Sequence, residues 1–184
     1  MKIFRGFDNL PTFRHPVVTV GSYDGVHRGH RALLDRLVTE ARTIGGESIV
    51  VTFEPHPRIA LGKAEGLQLL TTLDEKTALL EAIGVDNLVV APFDQQFAAL
   101  SGAEFAEEYL CKKLGAEMLI AGYNHRFGHD RIDGTTLGNS RLKVIRVEAC
   151  EIEGVRVSST IIRRLLAAGD IATAERLAGH ALSP

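Results

Sequence analysis

The chain has 184 residues, 45% of them apolar and 24% charged, with a formal net charge of −2. That length suits a single domain and that composition an ordinary globular protein, while the near-zero charge supplies no global field to gather nucleic acid or an anionic membrane surface. No segment approaches the roughly 18 apolar residues of a membrane span and "MKIFRGFDNLPTF" lacks the apolar core of a signal peptide, so the expectation is a cytoplasmic protein with neither a membrane nor a nucleic-acid partner.

In chain order, "PVVTVG" (16–21) is short, β-branched and closed by glycine, and reads as a buried strand. From Arg31 the apolar residues fall at 33, 34, 37, 38, 41 and 44, one face of a helix that Gly45 and Gly46 end. "SIVVTF" (48–53) is a second strand, halted by "EPHP". A helix over "TLDEKTALLEAIG" (72–84) has Thr72 as N-cap with Glu75 three residues later. "VDNLVVAPF" (85–93) is a third strand, "GAEFAEEYLCKKLG" (102–115) a helix, "AEMLIAGY" (116–123) and "LKVIRVEAC" (142–150) two more strands, and "SSTIIRRLLAAGDIATAERLAG" (158–179) closing helix. Cys111 and Cys150 stand singly in apolar segments, with no metal or redox spacing, and read as buried thiols.

Strands alternating with helices, the early ones continuously apolar, predict an α/β fold: a Rossmann-like, open, mainly parallel sheet flanked by helices. Ligands bind such sheets at the carboxyl ends of the strands, here "GSYDGVHRGH" (21–30), "TFEPHPR" (52–58), "PFDQQF" (92–97) and "GYNHRFG" (122–128). In the first, Gly21, Gly25 and Gly29 permit tight turning and close approach, and the following helix points its N–H groups and positive dipole end at whatever sits there. His27 and His30, three apart, can place both rings on one side, suited to donating hydrogen bonds to a phosphate. Asp24 is positioned to cap that helix. The spacing is neither GxxxxGK[ST] nor GxGxxG, and no third ligand accompanies the two histidines as a zinc site requires, so no protein-held metal is expected.

The longer pattern resembles the HxGH signature of the nucleotidylyltransferase superfamily. Together with "TFEPHPR", "LLTTLDEK" (69–76), "FAALSGAEFAEEYL" (97–110), "AGYNHRFG" (121–128) and "VSSTIIRRLLAAGD" (157–170), all in order, it is similar to the FMN adenylyltransferase (FAD synthetase) module of the bacterial bifunctional riboflavin kinase/FMN adenylyltransferases over residues 15–180. The resemblance implies adenylyl transfer from ATP, carried with Mg²⁺, to the phosphate of FMN, giving FAD and pyrophosphate. It implies catalytic roles for His27, His30 and Arg163. ATP would be held by Gly21, Tyr23, Asp24, Gly25, His27, His30, Ser158, Ser159, Thr160 and Arg163. The flavin would be held by Phe53, Pro55, His56, Pro57, Asn124 and Phe127. Several of these have a second reading: "SST" as a plain N-cap, Asn124 as a turn residue, His56 as an exposed histidine in a rigid turn, and Phe127 as core. Asp94 reads as the cap of "QQF", and His125, Arg126 and Arg164 as rim or surface.

The chain departs from the family pattern at Tyr23, at Ile161 in place of an arginine, and in the loop over 128–140. It stops at "LAGHALSP", so residues 1–184 are expected to form one FMN adenylyltransferase domain without a riboflavin kinase domain, FMN coming from a separate kinase. Two other functions stay open: adenylyl transfer to a different phosphorylated acceptor, and a non-catalytic flavin- or nucleotide-binding module.

Overall fold

The structure, a computed structural model, describes residues 1–138 and 141–182. Asn139 and Ser140, within the altered loop noted above, and Ser183 and Pro184 lie outside the described residues. Lys2–Arg5 (β1), Val17–Val20 (β2), Ser48–Glu54 (β3), Asn87–Pro92 (β4), Met118–Gly122 (β5) and Lys143–Val147 (β6) form one parallel sheet in the order β1-β4-β3-β2-β5-β6. The chain builds outward from β2 through β3 and β4, then returns to place β5 on the other side of β2. The carboxyl ends of β2 and β5 therefore flank the switch point at which such sheets open a crevice.

Every residue of β2 is buried, because both faces of the sheet are covered. Val18 and Val20 join Ile49, Val51, Val89 and Leu119 under Phe105 and Leu110, while Val17, Val50, Leu88 and Ile120 meet Leu34 and Leu37 of helix α1 (Arg28–Thr43) and Leu80 of helix α2 (Leu73–Ile83). This is the period-2 alternation of a strand feeding two apolar layers. Helix α2 begins as the sequence predicts: Thr72 and Glu75 form a reciprocal capping box. A third, smaller cluster joins Leu70 and Val157 to helices α3 (Ser159–Ala167) and α4 (Ile171–Ala178).

Three elements differ from expectation. β1 was not anticipated: it is an edge strand whose four residues are largely exposed, so no apolar pattern announces it. The helix expected over 102–115 is a short α-helix, Gly102–Phe105, running into a π-helical stretch, Ala106–Lys113. The closing helix is two, α3 and α4, parted where Gly169 adopts a φ of 79° and Asp170 accepts the Thr173 N–H at 3.1 Å as a fresh N-cap.

Leu34 is completely buried between α1 and the sheet. Leu34→Ala is expected to lower unfolding stability by about 2–5 kcal/mol through lost transfer energy and the cavity left behind. Urea denaturation measures this, and a loss within error of zero would contradict the packing of α1 on β2.

Candidate functional site

β2 runs out at Val20 into a turn that reverses sharply enough to force positive φ on Tyr23 (46°), Gly25 (82°) and Val26 (33°). A Cβ at Gly25 would also stand 2.8 Å from Leu70 Cδ1, so glycine is required there twice over. His27, not Asp24, caps α1: its backbone is extended and its Nδ1 accepts the His30 N–H at 3.3 Å. The Asp24 expectation is thus corrected, because its carboxylate is engaged elsewhere. Capping through Nδ1 fixes a tautomer with the proton on Nε2, which leaves an N–H donor on the far side of the ring.

The two imidazoles stack, with centroids 3.6 Å apart and planes 13° from parallel, and Tyr23 meets His30 edge-on at 5.1 Å. Beneath them Thr19 donates to Ile120 O at 2.8 Å and accepts from the Tyr23 hydroxyl at 2.7 Å, tying β2 to β5. Burial pushes His27 down to about 4 against the opposing pull of Asp24, and pushes His30 well below its ordinary value, helped by His27, Lys76 and His125. Both rings are neutral at pH 7. His30 Nδ1 is buried with no hydrogen-bond partner among the described residues.

A second turn faces the first. Ser158 caps α3, accepting the Ile161 N–H at 3.3 Å, and Ser159 Oγ donates to Asp24 O at 3.0 Å. The bare backbone of Gly29 makes this approach possible, since a Cβ there would sit 3.2 Å from Val157 O and from the His27 ring. Between the turns lies a cavity of about 530 Å³. It is lined by Gly21, Tyr23, His27, Gly29 and His30 from the first turn and by Ser158, Ser159 and Thr160 from the second. Gly122–Arg126 after β5 and Val147–Cys150 after β6 complete the walls.

Of the residues expected to hold ATP, Asp24, Gly25 and Arg163 do not line this cavity; they brace it. The Asp24 carboxylate is buried, accepts the Leu70 and Thr71 N–H groups at 2.8 and 3.3 Å, and pairs with Arg163, whose Nε donates to Gln68 O at 2.7 Å. Gly25 N–H donates to Thr71 Oγ1 at 3.0 Å. Of the residues expected to hold flavin, Asn124 lines the cavity. Phe53 joins Phe93 and Phe97 in an aromatic cluster at 5.2 and 5.8 Å, and His56, between Pro55 and Pro57, caps the short helix Pro57–Ala60. Phe127 is core, stacked on His125 at 4.2 Å. Asp94 is the plain cap expected of it, accepting the Phe97 N–H at 2.7 Å.

Three contributors were not foreseen. His125, read as rim, presents a half-buried ring to the cavity, and burial lowers it to about 4. Tyr123 lines the wall, with the Arg156 guanidinium 5.2 Å from its ring centre. Lys76 is buried on the same face of α2 as Leu80, four residues on; a charged residue in an apolar stripe was the available signal. Among the described residues no group of three or more His, Cys, Asp or Glu side chains forms a metal cage, and no helix is long and apolar enough to cross a membrane.

The sequence model described as FAD synthetase matches residues 11–161. The bifunctional riboflavin kinase/FMN adenylyltransferase of Pseudomonas fluorescens is 39% identical across 98% of this chain and 60% of its own length, and that of Escherichia coli (strain K12) 37% identical over the same shares. The chain thus spans about three fifths of these two relatives. A putative bifunctional riboflavin kinase/FMN adenylyltransferase of Geobacillus thermodenitrificans (strain NG80-2) is 35% identical and is covered over 99% of its length. A crystal structure of a macrolide-efflux protein from Streptococcus pneumoniae superposes with a TM-score of 0.87 at 29% identity, over 97% of this chain and 61% of that one.

Two outcomes follow from the geometry. Because the folded pKa of His27 lies near 4, below the ordinary 6.5, the unfolded chain binds more protons between those values. Stability is therefore full above pH 6.5 and falls as pH drops toward 4; His27→Asn, which keeps a cap without the titration, should flatten part of that fall in pH-dependent urea melts, the remainder belonging to groups such as His125. An undiminished slope would refute the neutral buried imidazole. Asp24→Ala, which strands two buried N–H groups and the half-buried Arg163, is expected to cost about 3–5 kcal/mol, and a cost near zero would refute its bracing role.

Proposed function

The chain belongs to the FAD synthetase family, and from that premise we propose that it transfers the AMP moiety of ATP to the phosphate of FMN, forming FAD and releasing pyrophosphate. The observation that carries this reading is the pair of turns facing one another across the cavity, each ending in a helix start, with neutral imidazole donors between them.

An oxygen of the FMN phosphate attacks the α-phosphorus of ATP in line. The new P–O bond forms as the bond from the α-phosphorus to the α–β bridging oxygen breaks, and pyrophosphate leaves with that electron pair. FMN phosphate is already anionic near pH 7, so no side-chain nucleophile or strong base is needed; positioning and charge stabilisation remain. His27 supplies its Nε2–H, His30 the orphaned Nδ1 side of its ring, and the starts of α1 and α3 supply backbone N–H groups with the positive dipole ends. A phosphate arriving here raises both imidazole pKa values and strengthens these bonds.

Arg163 spends its Nε and one terminal nitrogen on Gln68 O and Asp24; it stands outside the cavity, and its remaining nitrogen would meet the β- and γ-phosphates only where the triphosphate extends past the cavity along α3. Mg²⁺ would enter on the nucleotide's own oxygens, since the described residues offer no three-ligand cage. The flavin would approach from the β3 side, between Asn124 and the Phe53–Pro57 loop, while Phe127 supports His125 from within the core. FMN would then come from a riboflavin-phosphorylating enzyme, and ATP dependence accords with a cytoplasmic setting.

With ATP, Mg²⁺ and FMN, the purified protein is expected to form FAD, resolved from FMN by chromatography. His27→Ala should lower kcat/KM by about 10²–10³-fold, the usual effect of removing a donor to a developing oxyanion. No FAD under conditions where a known synthetase makes it, or faster pyrophosphate release with another phosphorylated acceptor, would reject the assignment.

A further inference from the structure

Lys76 is a buried charge with little direct compensation. It is 5% exposed, and its Nζ has one protein acceptor among the described residues, Thr52 Oγ1 at 3.3 Å. That hydroxyl passes its own proton to Ser22 O at 3.2 Å, so the ammonium sits against the turn that leads to His27. No carboxylate of the described residues lies within ion-pair distance of it. Asp24, a buried acid, is bonded to Arg163 and the Leu70 and Thr71 N–H groups, so that it and Glu54 act on the ammonium only through the longer-range field. An ammonium with three protons and one hydroxyl acceptor is costly to bury, and the cost is met where an anion completes the site.

The position of the charge says which anion. Lys76 does not line the cavity between the two turns, where the triphosphate of ATP is placed. Through Thr52 it is tied to the end of β3, which leads straight into the Phe53–Pro57 loop and His56, and through Ser22 O to the turn that carries His27 and His30. A group bound between His30 and the His56 loop is a group presented to the α-phosphorus from the acceptor side. Resting on the adenylyltransferase reading above, we propose that Lys76 binds the phosphate of the flavin acceptor and so distinguishes a phosphorylated flavin from riboflavin. The acceptor phosphate replaces the missing partners of the ammonium, and the ammonium holds that phosphate beside the imidazoles.

The test compares binding of FMN and of riboflavin, followed by flavin fluorescence, in the wild-type protein and in Lys76→Met. The wild type should bind FMN more tightly than riboflavin. Lys76→Met should weaken FMN binding by roughly 10–100-fold, the worth of a charge-assisted hydrogen bond, while leaving riboflavin binding and the KM for ATP unchanged. Replacing an under-paired buried charge by an apolar side chain of similar shape should leave the thermal midpoint at or above the wild-type value. Should Lys76→Met fail to fold, Thr52→Val removes the hydroxyl that orients the ammonium and should narrow the same FMN-over-riboflavin preference. A preference unchanged in the variant, or a loss falling equally on riboflavin or on ATP, overturns the role of Lys76 alone, with FAD formation by the wild type still standing. A wild type that neither forms FAD nor prefers FMN overturns the adenylyltransferase reading and this proposal with it.

Discussion

The carboxylate of Asp24 holds the site together. It lies in a turn too tight for ordinary backbone angles, and it receives the N–H groups of Leu70 and Thr71 and the guanidinium of Arg163 from two segments far away in sequence. Its own carbonyl accepts from Ser159, and the next residue, Gly25, donates to Thr71 and accepts from His180 Nε2. Each of these bonds is modest alone. Together they fasten the 68–71 segment and the α3–α4 pair over the end of the sheet, and this sets the separation of the two turns. A buried ion pair of this sort contributes geometry more surely than net stability: the desolvation of both charges offsets much of their attraction, whereas losing one partner leaves the other stranded.

That constraint explains why the sequence discloses some of the site and conceals the rest. His27, His30 and the serine–threonine turn are legible because their chemistry is local: spacing on one helix start, or hydroxyls ahead of an amphipathic stretch. The buried strands and α1, with its residues 33, 34, 37, 38 and 41 inward, are legible because burial imposes periods of two and 3.6 on apolar residues. The role of Asp24 is not local. Its partners lie 46 and 139 residues away, and nothing in "GSYDG" tells a helix cap from a tertiary anchor. The same distance hides the fact that Arg163 spends part of its guanidinium on structure. β1 is hidden for the opposite reason: an exposed edge strand has no buried face to leave a pattern. The division of the last helix was marked by Gly169–Asp170, a stop followed by a cap, and the amphipathic stripe running through both halves obscured it.

Electrostatics follow from the same architecture. Beside the two arginines of its lining, Arg126 and Arg131, the cavity proposed for the polyphosphate holds stacked, neutral imidazoles whose charged forms burial suppresses. For His30 the stacked neighbour adds to the effect of burial, because two imidazolium rings at 3.6 Å would repel strongly in a medium that screens poorly. Permanent charge stands at the margins: Arg126, paired with Asp133, and Arg131 are on the cavity wall, while Arg163 tied to Asp24 and Lys76 on Thr52 lie behind it.

Histidine serves that arrangement where arginine or lysine would not. As the N-cap of α1, His27 offers an unprotonated Nδ1 to the His30 N–H while its second nitrogen keeps a donor on the far side of the ring, a combination that the donor-only ammonium and guanidinium groups cannot supply. Protonation at Nδ1 would break the cap, whereas a phosphate held at Nε2, as in the proposed reaction, would leave it intact. The two histidines at this spacing on a glycine-rich turn divide the work: one ring caps the helix and keeps a donor free, and the second is stacked on it, its Nδ1 finding no partner among the described residues.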